Sequence, residues 1–220
     1  GEILWGDRLM IVYARDILTQ RPGTTFISEV KASQCLYDDI AAKGGRPIMW
    51  KTGHSLMKAK LKAESAVLAG EMSGHMFFAD RYFGFDDAIY ASCRLVEILA
   101  KTKRSLSSLV ADLPQTTVTP EIRVDCPDTR KFQLVDQVRT QLAAYLAEGQ
   151  PVGASNLRMR ELVTIDGVRA IFEDGWGLIR ASNTQPALVL RFEAPSPARL
   201  DVIRATIETE LAQARRVLST

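Results

Sequence analysis

A seven-residue segment, 114–120, divides the chain into two parts whose hydrophobic patterns differ. The segment contains two prolines, three threonines and no charged residue, a composition typical of a connection between domains. Before it, short β-rich runs alternate with amphipathic helical patterns, whereas after it most β-rich runs follow one another directly. We therefore expect two domains, 7–113 and 121–220, with 114–120 as linker and hinge.

The first part is predicted to form an α/β layer around a mixed or parallel sheet. Asp7 and Ser55 each stand where they can cap a helix, and apolar residues at helical spacing predict a further helix over 86–100. The other predicted elements are strands over 24–30, 47–50, 66–69 and 76–78, and helices over 31–43 and 105–113.

The second part is predicted to form an α+β domain with an antiparallel sheet. Asp166-Gly167 separates two β-rich runs, 162–165 and 168–172, and this dipeptide favours a tight hairpin. The other predicted elements are strands over 121–126, 176–180 and 188–193, and helices over 131–146 and 199–217.

Composition limits the partners of the chain. A net charge of +2 gives no general attraction to nucleic acid or to an anionic membrane, and no apolar run reaches the ~20 residues of a membrane span. The three cysteines, Cys35, Cys93 and Cys126, are far apart and form no CxxC, which is typical of reduced thiols. We expect a cytoplasmic protein that binds neither nucleic acid nor membrane.

The loop Gly70-Glu71-Met72-Ser73-Gly74-His75 is the first candidate for chemistry. Its glycines permit a tight turn, its carboxylate can accept hydrogen bonds from two neighbouring sugar hydroxyls, and His75 can move a proton near neutral pH. The alternative is an ordinary polar turn with an incidental histidine.

The second candidate is Arg180-Ala181-Ser182-Asn183-Thr184, between two predicted strands. Its guanidinium, hydroxyls and amide can all donate to phosphate oxygens, and none of its five residues is a carboxylate that would neutralise the arginine. The alternative is a polar hairpin loop.

A third candidate, Lys51-Thr52-Gly53-His54-Ser55, connects a strand to a helix, where backbone N–H groups can face a ligand. The alternative is capping by Ser55 beside a solvated lysine. Lys31 follows another strand end, where open α/β sheets place ligands, although a lone lysine there is usually a surface charge.

These three loops occur in this order in the α-D-phosphohexomutases, and the chain resembles the C-terminal half of that family over essentially its whole length. The stretch 82–87, Tyr-Phe-Gly-Phe-Asp-Asp, is also similar, and the chain is most like the bacterial phosphomannomutase/phosphoglucomutase members. The resemblance implies that 7–113 is the sugar-recognising third domain and 121–220 the phosphate-binding fourth, an α+β fold like that of the TATA-box-binding protein. Residues 1–6 would be the tail of a missing second domain.

The resemblance also implies residue roles. Glu71 and Ser73 match residues that hold sugar hydroxyls, and His75 matches a proposed general acid/base. The residues expected to contact substrate are Lys31, Gly53, His54, Glu71, Met72, Ser73, Gly74 and His75. Those expected to bind the non-reacting phosphate are Arg180, Ala181, Ser182, Asn183 and Thr184.

The family's chemical step depends on motifs that these 220 residues do not contain. Neither the phosphoserine context Ser-His-Asn-Pro nor the Asp-x-Asp-x-Asp of the magnesium loop Asp-Gly-Asp-x-Asp-Arg occurs. The acidic pairs 38–39 and 86–87, at the starts or faces of helices, are interpreted as helix capping and dipole complementation. The resemblance implies that Mg²⁺ is bound by the missing N-terminal half, that hexose 1,6-bisphosphate is activator and intermediate, and that this chain alone is inactive.

Other interpretations remain at this point. The chain could be a stand-alone phosphosugar-binding module, an interaction or nucleic-acid module, or part of a phosphoglucosamine mutase. Met72 favours the mannose/glucose enzymes by association, since the glucosamine enzymes more often have glutamine there. Hexose 1- and 6-phosphates are the expected ligands, with the glucose or mannose preference left open.

Overall fold

The computed structural model describes residues 3–218, which form two compact units that divide between Pro114 and Gln115. Residues 1 and 2, part of the predicted tail 1–6, lie outside the described residues. Within 3–218, no helix has both the length and the apolar character needed to cross a membrane.

The first unit is built on a four-stranded mixed sheet with the strand order β2-β1-β3-β4. Strand β1 runs parallel to β2 and β3, and β4 is antiparallel to β3. The elements are α1 (Gly6–Gln20), β1 (Thr25–Glu29), α2 (Gln34–Ala42), β2 (Arg46–Trp50), α3 (His54–Ala63), β3 (Leu68–Gly70), β4 (Met76–Phe78), α4 (Ala88–Thr102) and α5 (Leu106–Leu109). The predicted mixed-sheet α/β fold is confirmed.

Helices cover both faces of this sheet. Successive strand residues point to opposite faces, so Phe26 packs with α1, α2 and α4 while Ile27 packs with α3. Both side chains are at most 1% exposed. Because both faces are buried, the edge where the parallel strands end is left for ligand binding.

Two helix starts differ from the prediction. Helix α1 begins at Gly6 and its N-cap residue is Trp5, while the buried Asp7 carboxylate accepts a hydrogen bond from the Ser33 backbone N–H at 2.9 Å. Helix α3 has Gly53 at its N-cap, with φ of 132°, so Ser55 is already inside the first turn. A φ of that sign favours glycine, which explains why the chain turns at Gly53.

The second unit has an antiparallel sheet with the strand order β5-β10-β9-β8-β7, and β6 also pairs with β10. Helices α6 and α7 contribute to one apolar core with the sheet. The elements are β5 (Thr117–Val118), β6 (Ile122–Asp125), α6 (Asp128–Glu148), β7 (Met159–Val163), β8 (Val168–Phe172), β9 (Trp176–Ala181), β10 (Ala187–Ala194) and α7 (Pro197–Val217). The predicted antiparallel α+β fold is confirmed.

Part of the segment predicted as a linker is a strand. Thr117 and Val118 form β5 on β10, and the Thr119 backbone N–H donates to the Phe192 carbonyl at 3.0 Å. The threonines and the valine of this uncharged segment are β-branched and also suit a strand, and the edge of β10 supplies a pairing partner. A hinge in this segment would therefore lie before Thr117.

Candidate functional site

Three of the candidate segments come together at one edge of the first sheet. Lys31 follows β1, the 51–55 segment follows β2, and the 70–75 loop joins β3 to β4. Because β1, β2 and β3 are parallel, their carboxyl ends share that edge, where ligands bind in open α/β sheets. Hydrogen bonds between the segments show that they form one arrangement.

Glu29, the last residue of β1, holds these segments together. Its Oε1 accepts a hydrogen bond from the Met72 backbone N–H at 3.0 Å, and its Oε2 accepts one from the Thr52 hydroxyl at 2.6 Å. Lys31 Nζ lies 3.3 Å from the same Oε2. Burial raises the pKa of Glu29, and the charge of Lys31 and the bond from Thr52 oppose that shift.

The prediction did not include Glu29 among the site residues. The one available signal was an acidic residue at the end of an otherwise uncharged strand, Thr-Phe-Ile-Ser-Glu. Charged side chains are rarely fully buried unless they are paired, and Glu29 is 0% exposed. A carboxylate at the end of a parallel strand therefore indicates a site residue when the strand can be recognised as a central one.

Glu71 connects the 70–75 loop to the start of α3. Its Oε1 accepts a hydrogen bond from the Gly53 backbone N–H at 2.9 Å, and the Ser73 hydroxyl lies 3.5 Å from its Oε2. A carboxylate has about four lone-pair positions, so Glu71 keeps capacity to accept from a ligand. Among the backbone N–H groups of the 51–55 segment that could face a ligand, the one of Gly53 donates to Glu71.

Backbone hydrogen bonds within the 70–75 loop hold it in a tight turn. The Glu71 N–H donates to the His75 carbonyl at 3.0 Å, and the Gly74 N–H donates to the Glu71 carbonyl at 3.0 Å. The Met72 carbonyl accepts from the Gly6 N–H at 3.1 Å, and the Met72 side chain is 9% exposed. Met72 thus sets the shape of the loop, while Ser73, next to it, is exposed.

His54 and His75 meet at one carboxylate oxygen. Oδ2 of Asp86 lies 2.7 Å from His54 Nε2 and 2.8 Å from His75 Nδ1, and the two rings are 4.9 Å apart in an edge-to-face arrangement. Burial alone would raise the pKa of Asp86, but the hydrogen bonds to His54 and His75 outweigh it and lower the pKa.

The interpretation of the 86–87 pair as helix caps is right for one member only. Asp87 is the N-cap of α4 and accepts from the Tyr90 N–H at 2.8 Å. Asp86 turns the other way, toward the histidines, and its Oδ1 accepts from the Met76 N–H at 3.2 Å. The sequence could not show which of the two aspartates caps the helix, because a cap needs only one carboxylate. It also could not show the contact with the histidines, because they come from other segments of the chain. In the 38–39 pair, Asp39 receives two hydrogen bonds from Arg15, so it is an ion-pair partner rather than a cap.

The second unit places the phosphate-clamp candidates at the end of β9. Arg180 and Ala181 belong to the strand, and Ser182, Asn183 and Thr184 begin the loop to β10. Arg180 is only 5% exposed, and its Nε lies 3.1 Å from Oδ2 of Asp166. None of the five loop residues is a carboxylate, but Asp166 of the Asp-Gly turn supplies one from another hairpin.

Ser182 organises its loop. Its Oγ accepts from the Gln185 N–H at 3.2 Å, and the buried Lys131 Nζ donates to the Gln185 carbonyl at 3.0 Å. Asn183 and Thr184 are exposed between these fixed points. A cavity of about 380 Å³ lies beside the loop, and its lining includes Asn183. The five clamp candidates thus divide into one buried cation, one buried alanine at the end of the strand, one loop-forming serine and two exposed donors.

Two family models match nearly the whole chain. The model described as phosphoglucomutase/phosphomannomutase, alpha/beta/alpha domain III, matches residues 5–117. The model described as the C-terminal domain of phosphoglucomutase/phosphomannomutase matches residues 121–210.

Individual proteins agree with these matches. The chain is 46% identical over 211 residues to a phosphomannomutase/phosphoglucomutase of Pseudomonas putida, covering 96% of this chain and 43% of that protein. The crystal structure of a phosphoglucomutase/phosphomannomutase family protein from Burkholderia thailandensis is similar with a TM-score of 0.84 at 42% identity, covering 98% of this chain and 43% of that chain.

A more distant structure shares the fold alone. It is an Aspergillus fumigatus N-acetylphosphoglucosamine mutase variant in complex with glucose 1,6-bisphosphate, with a TM-score of 0.65 at 17% identity, covering 100% of this chain and 44% of that chain. The chain spans less than half the length of each of these three proteins.

Proposed function

The chain belongs to the phosphoglucomutase/phosphomannomutase family, and from this we propose that it is the substrate-recognising half of a mutase that interconverts hexose 1-phosphates and 6-phosphates. The observation that carries the proposal is the convergence of Lys31, His54, Glu71 and His75 on one sheet edge, organised by Glu29. Three segments that are separate in sequence meet there, and they bring carboxylate, ammonium and imidazole groups to one place. Those are the groups that a sugar with hydroxyls and a phosphate requires.

The first unit is proposed to hold the sugar. Glu71 accepts from neighbouring hydroxyls, and the exposed Ser73 hydroxyl can either donate or accept. Such contacts tolerate a sugar in two orientations, because equatorial hydroxyls exchange places when the ring turns over. Lys31, Gly53 and His54 are the proposed flanking contacts, and His75 is the candidate for moving a proton at the reacting hydroxyl.

The second unit is proposed to hold the phosphate that does not react. Arg180 would supply the charge, with Ser182, Asn183 and Thr184 as neutral donors and Ala181 at the loop base. Binding energy from that distant phosphate can position the reacting one, which is how remote contacts accelerate a chemical step.

The nucleophile and the metal of the reaction are proposed to come from sequence outside these 220 residues. Neither family motif for them occurs here. The group in residues 3–218 with metal-ligand geometry contains two histidines and one carboxylate, and Mg²⁺ prefers oxygen ligands and water, so these residues do not fit Mg²⁺. No step through Mg²⁺ is assigned to this chain. Hexose 1,6-bisphosphate is the proposed intermediate of the whole protein.

The test is a calorimetric titration of the 220-residue chain with glucose 1-phosphate and with mannose 1-phosphate. Glucosamine 1-phosphate is titrated as a comparison, because part of a phosphoglucosamine mutase is the alternative interpretation. We expect measurable binding that Arg180→Ala and Glu71→Gln each weaken tenfold or more, which corresponds to about 1.4 kcal/mol. Arg199→Ala is the matched control, because Arg199 is a half-exposed arginine of the same unit paired with Asp174.

Because Arg180 is buried, the exposed loop variant Asn183→Ala is measured beside it and should also weaken binding. A mutase assay with Mg²⁺ and glucose 1,6-bisphosphate accompanies the titrations and should show no turnover. Turnover would mean that the chain holds its own nucleophile, and binding that is indifferent to Arg180, Asn183 and Glu71 would refute the proposed recognition site.

A further inference from the structure

The chain contains only two histidines, and both meet the same carboxylate oxygen. His54 Nε2, His75 Nδ1 and an oxygen of Asp86 all lie within 4.8 Å of one another. The three residues come from the start of α3, the end of the 70–75 loop and the residue before the N-cap of α4. Their convergence is therefore a product of the tertiary fold.

Neighbouring contacts orient two of these three side chains, Asp86 and His54. Asp86 Oδ1 accepts from the Met76 N–H at 3.2 Å, which turns Oδ2 toward both imidazoles. The His54 ring packs edge-to-face on the buried Phe77 at 4.9 Å between ring centres. Supporting contacts of this kind orient ligands in metal sites and raise their affinity.

The donor set selects a class of metal. Two imidazole nitrogens and one carboxylate oxygen suit Zn²⁺, which binds such ligands at about 2.0–2.2 Å in tetrahedral sites with a fourth position open. Tetrahedral bonds of that length separate ligand atoms by about 3.3 Å, so the hydrogen-bonded pairs must open by roughly half an ångström. The side chains are 43%, 47% and 24% exposed for His54, His75 and Asp86, so they can move and an ion can enter.

We propose that His54, His75 and Asp86 form a Zn²⁺ site that keeps an open coordination position. An ion bound there occupies both histidines, so it competes with a hexose phosphate for the sheet edge and inhibits the enzyme. The competition rests on the proposed function, whereas the binding of zinc rests only on the geometry of the three side chains.

The experiment is a calorimetric titration of the 220-residue chain with Zn²⁺, repeated with Co²⁺ to record the visible absorption of a tetrahedral nitrogen and oxygen site. Cys93→Ser is the starting background, because Cys93 is an exposed thiol and thiolates bind zinc. We expect one ion per chain, no response to Mg²⁺, and movement of both histidine ring signals in the NMR spectrum.

Asp86→Asn is the decisive variant, since asparagine keeps an acceptor for the Met76 N–H while losing the charge. It should weaken Zn²⁺ binding tenfold or more, as should His75→Gln, while the surface change Asp174→Asn should not alter it. Unchanged zinc affinity in Asp86→Asn, or no binding of one ion per chain in the starting background, would overturn the site.

A second titration separates the two proposals. Saturating glucose 1-phosphate should lower the apparent zinc affinity. Zinc binding that glucose 1-phosphate does not affect, in a chain that binds both, would leave the metal site standing and would overturn the inhibition. A chain that binds zinc but no hexose phosphate would count against the proposed function alone.

Discussion

Arg180 and Asp166 form a nearly buried ion pair that fixes the arginine before any ligand arrives. Nε of Arg180 lies 3.1 Å from Oδ2 of Asp166, and the side chains are 6% and 14% exposed. Asp166 stands in the turn after β7 and Arg180 in β9, so the pair links two hairpins. A side chain held in one position loses less entropy when it binds a phosphate.

The first prediction concerns this pair. Asp166→Asn should lower the free energy of unfolding by about 1–3 kcal/mol, because it leaves the nearly buried Arg180 charge without its carboxylate. Urea unfolding measures the change. Asp174→Asn breaks the more exposed pair with Arg199 and should cost at most about 0.5 kcal/mol. Equal effects of the two variants would contradict the assigned role of Asp166.

The second prediction uses the glycine at the start of α1. A Cβ added at Gly6 would lie 2.5 Å from the Glu71 carbonyl oxygen and 2.7 Å from the Gly74 nitrogen, both backbone atoms of the 70–75 loop. Gly6→Ala should therefore destabilise the unit by about 2–3 kcal/mol and weaken hexose phosphate binding. Thermal unfolding and the titration described above measure the two effects.

Gly70→Ala is the comparison for that change. At Gly70 the nearest atoms to an added Cβ are the sulfurs of Met10 and Met76, each at 2.8 Å, and thioether side chains can adjust. Its cost should be clearly smaller than that of Gly6→Ala. A larger cost for Gly70→Ala than for Gly6→Ala would mean that the backbone of the 70–75 loop adjusts more readily than the two methionine side chains.

The layout of both units could be predicted from the sequence because it depends on local patterns. Strands β1, β2 and β4, helix α4 and the Asp166-Gly167 hairpin all follow from apolar spacing and turn residues. The positions of Lys31, His54 and Glu71 at one edge then follow from parallel strand order.

The partners of the site residues could not be predicted in the same way. No sequence pattern distinguishes Glu29, Asp86 and Asp166 from other acidic residues. Each binds a residue that only the tertiary fold brings near. The caps at Asp7 and Ser55 were predicted wrongly for a related reason. Several polar residues near a helix start can serve as cap, and tertiary contacts such as Asp7 with Ser33 decide among them.

The third prediction concerns Glu29, the carboxylate that joins the β1, β2 and β3 segments. Glu29→Ala removes the acceptor of the Met72 N–H, so the protection of that amide against hydrogen exchange should fall by about 1–3 kcal/mol of opening free energy. The Ser33 amide, bonded to Asp7, is the internal control and should change little. Unchanged protection at Met72 would show that Glu29 does not hold the loop.

The fourth prediction concerns Glu210 in α7. The residue is 1% exposed, and its Oε1 receives no hydrogen bond from residues 3–218. Burial raises the pKa of Glu210. The folded state therefore binds a proton more readily than the unfolded state does, so the contribution of Glu210 to stability is present below its unfolded pKa and is lost as pH rises through the folded pKa.

Glu210→Gln removes this dependence and should raise the free energy of unfolding at pH 7 by about 1 kcal/mol, because it removes a buried charge that is only partly hydrogen-bonded within 3–218. The glutamine keeps an acceptor for Gln141 Nε2, which lies 3.3 Å from Glu210 Oε2. The advantage should shrink as the pH falls through the raised folded-state pKa, and it should be small once the pH is below the unfolded-state pKa of about 4.3. Urea unfolding from pH 4 to pH 8 measures it, with Glu208→Gln on the exposed side of α7 as the control. A variant that is less stable than the parent at pH 7 would mean that the Glu210 carboxylate is stabilised in the folded state as an anion.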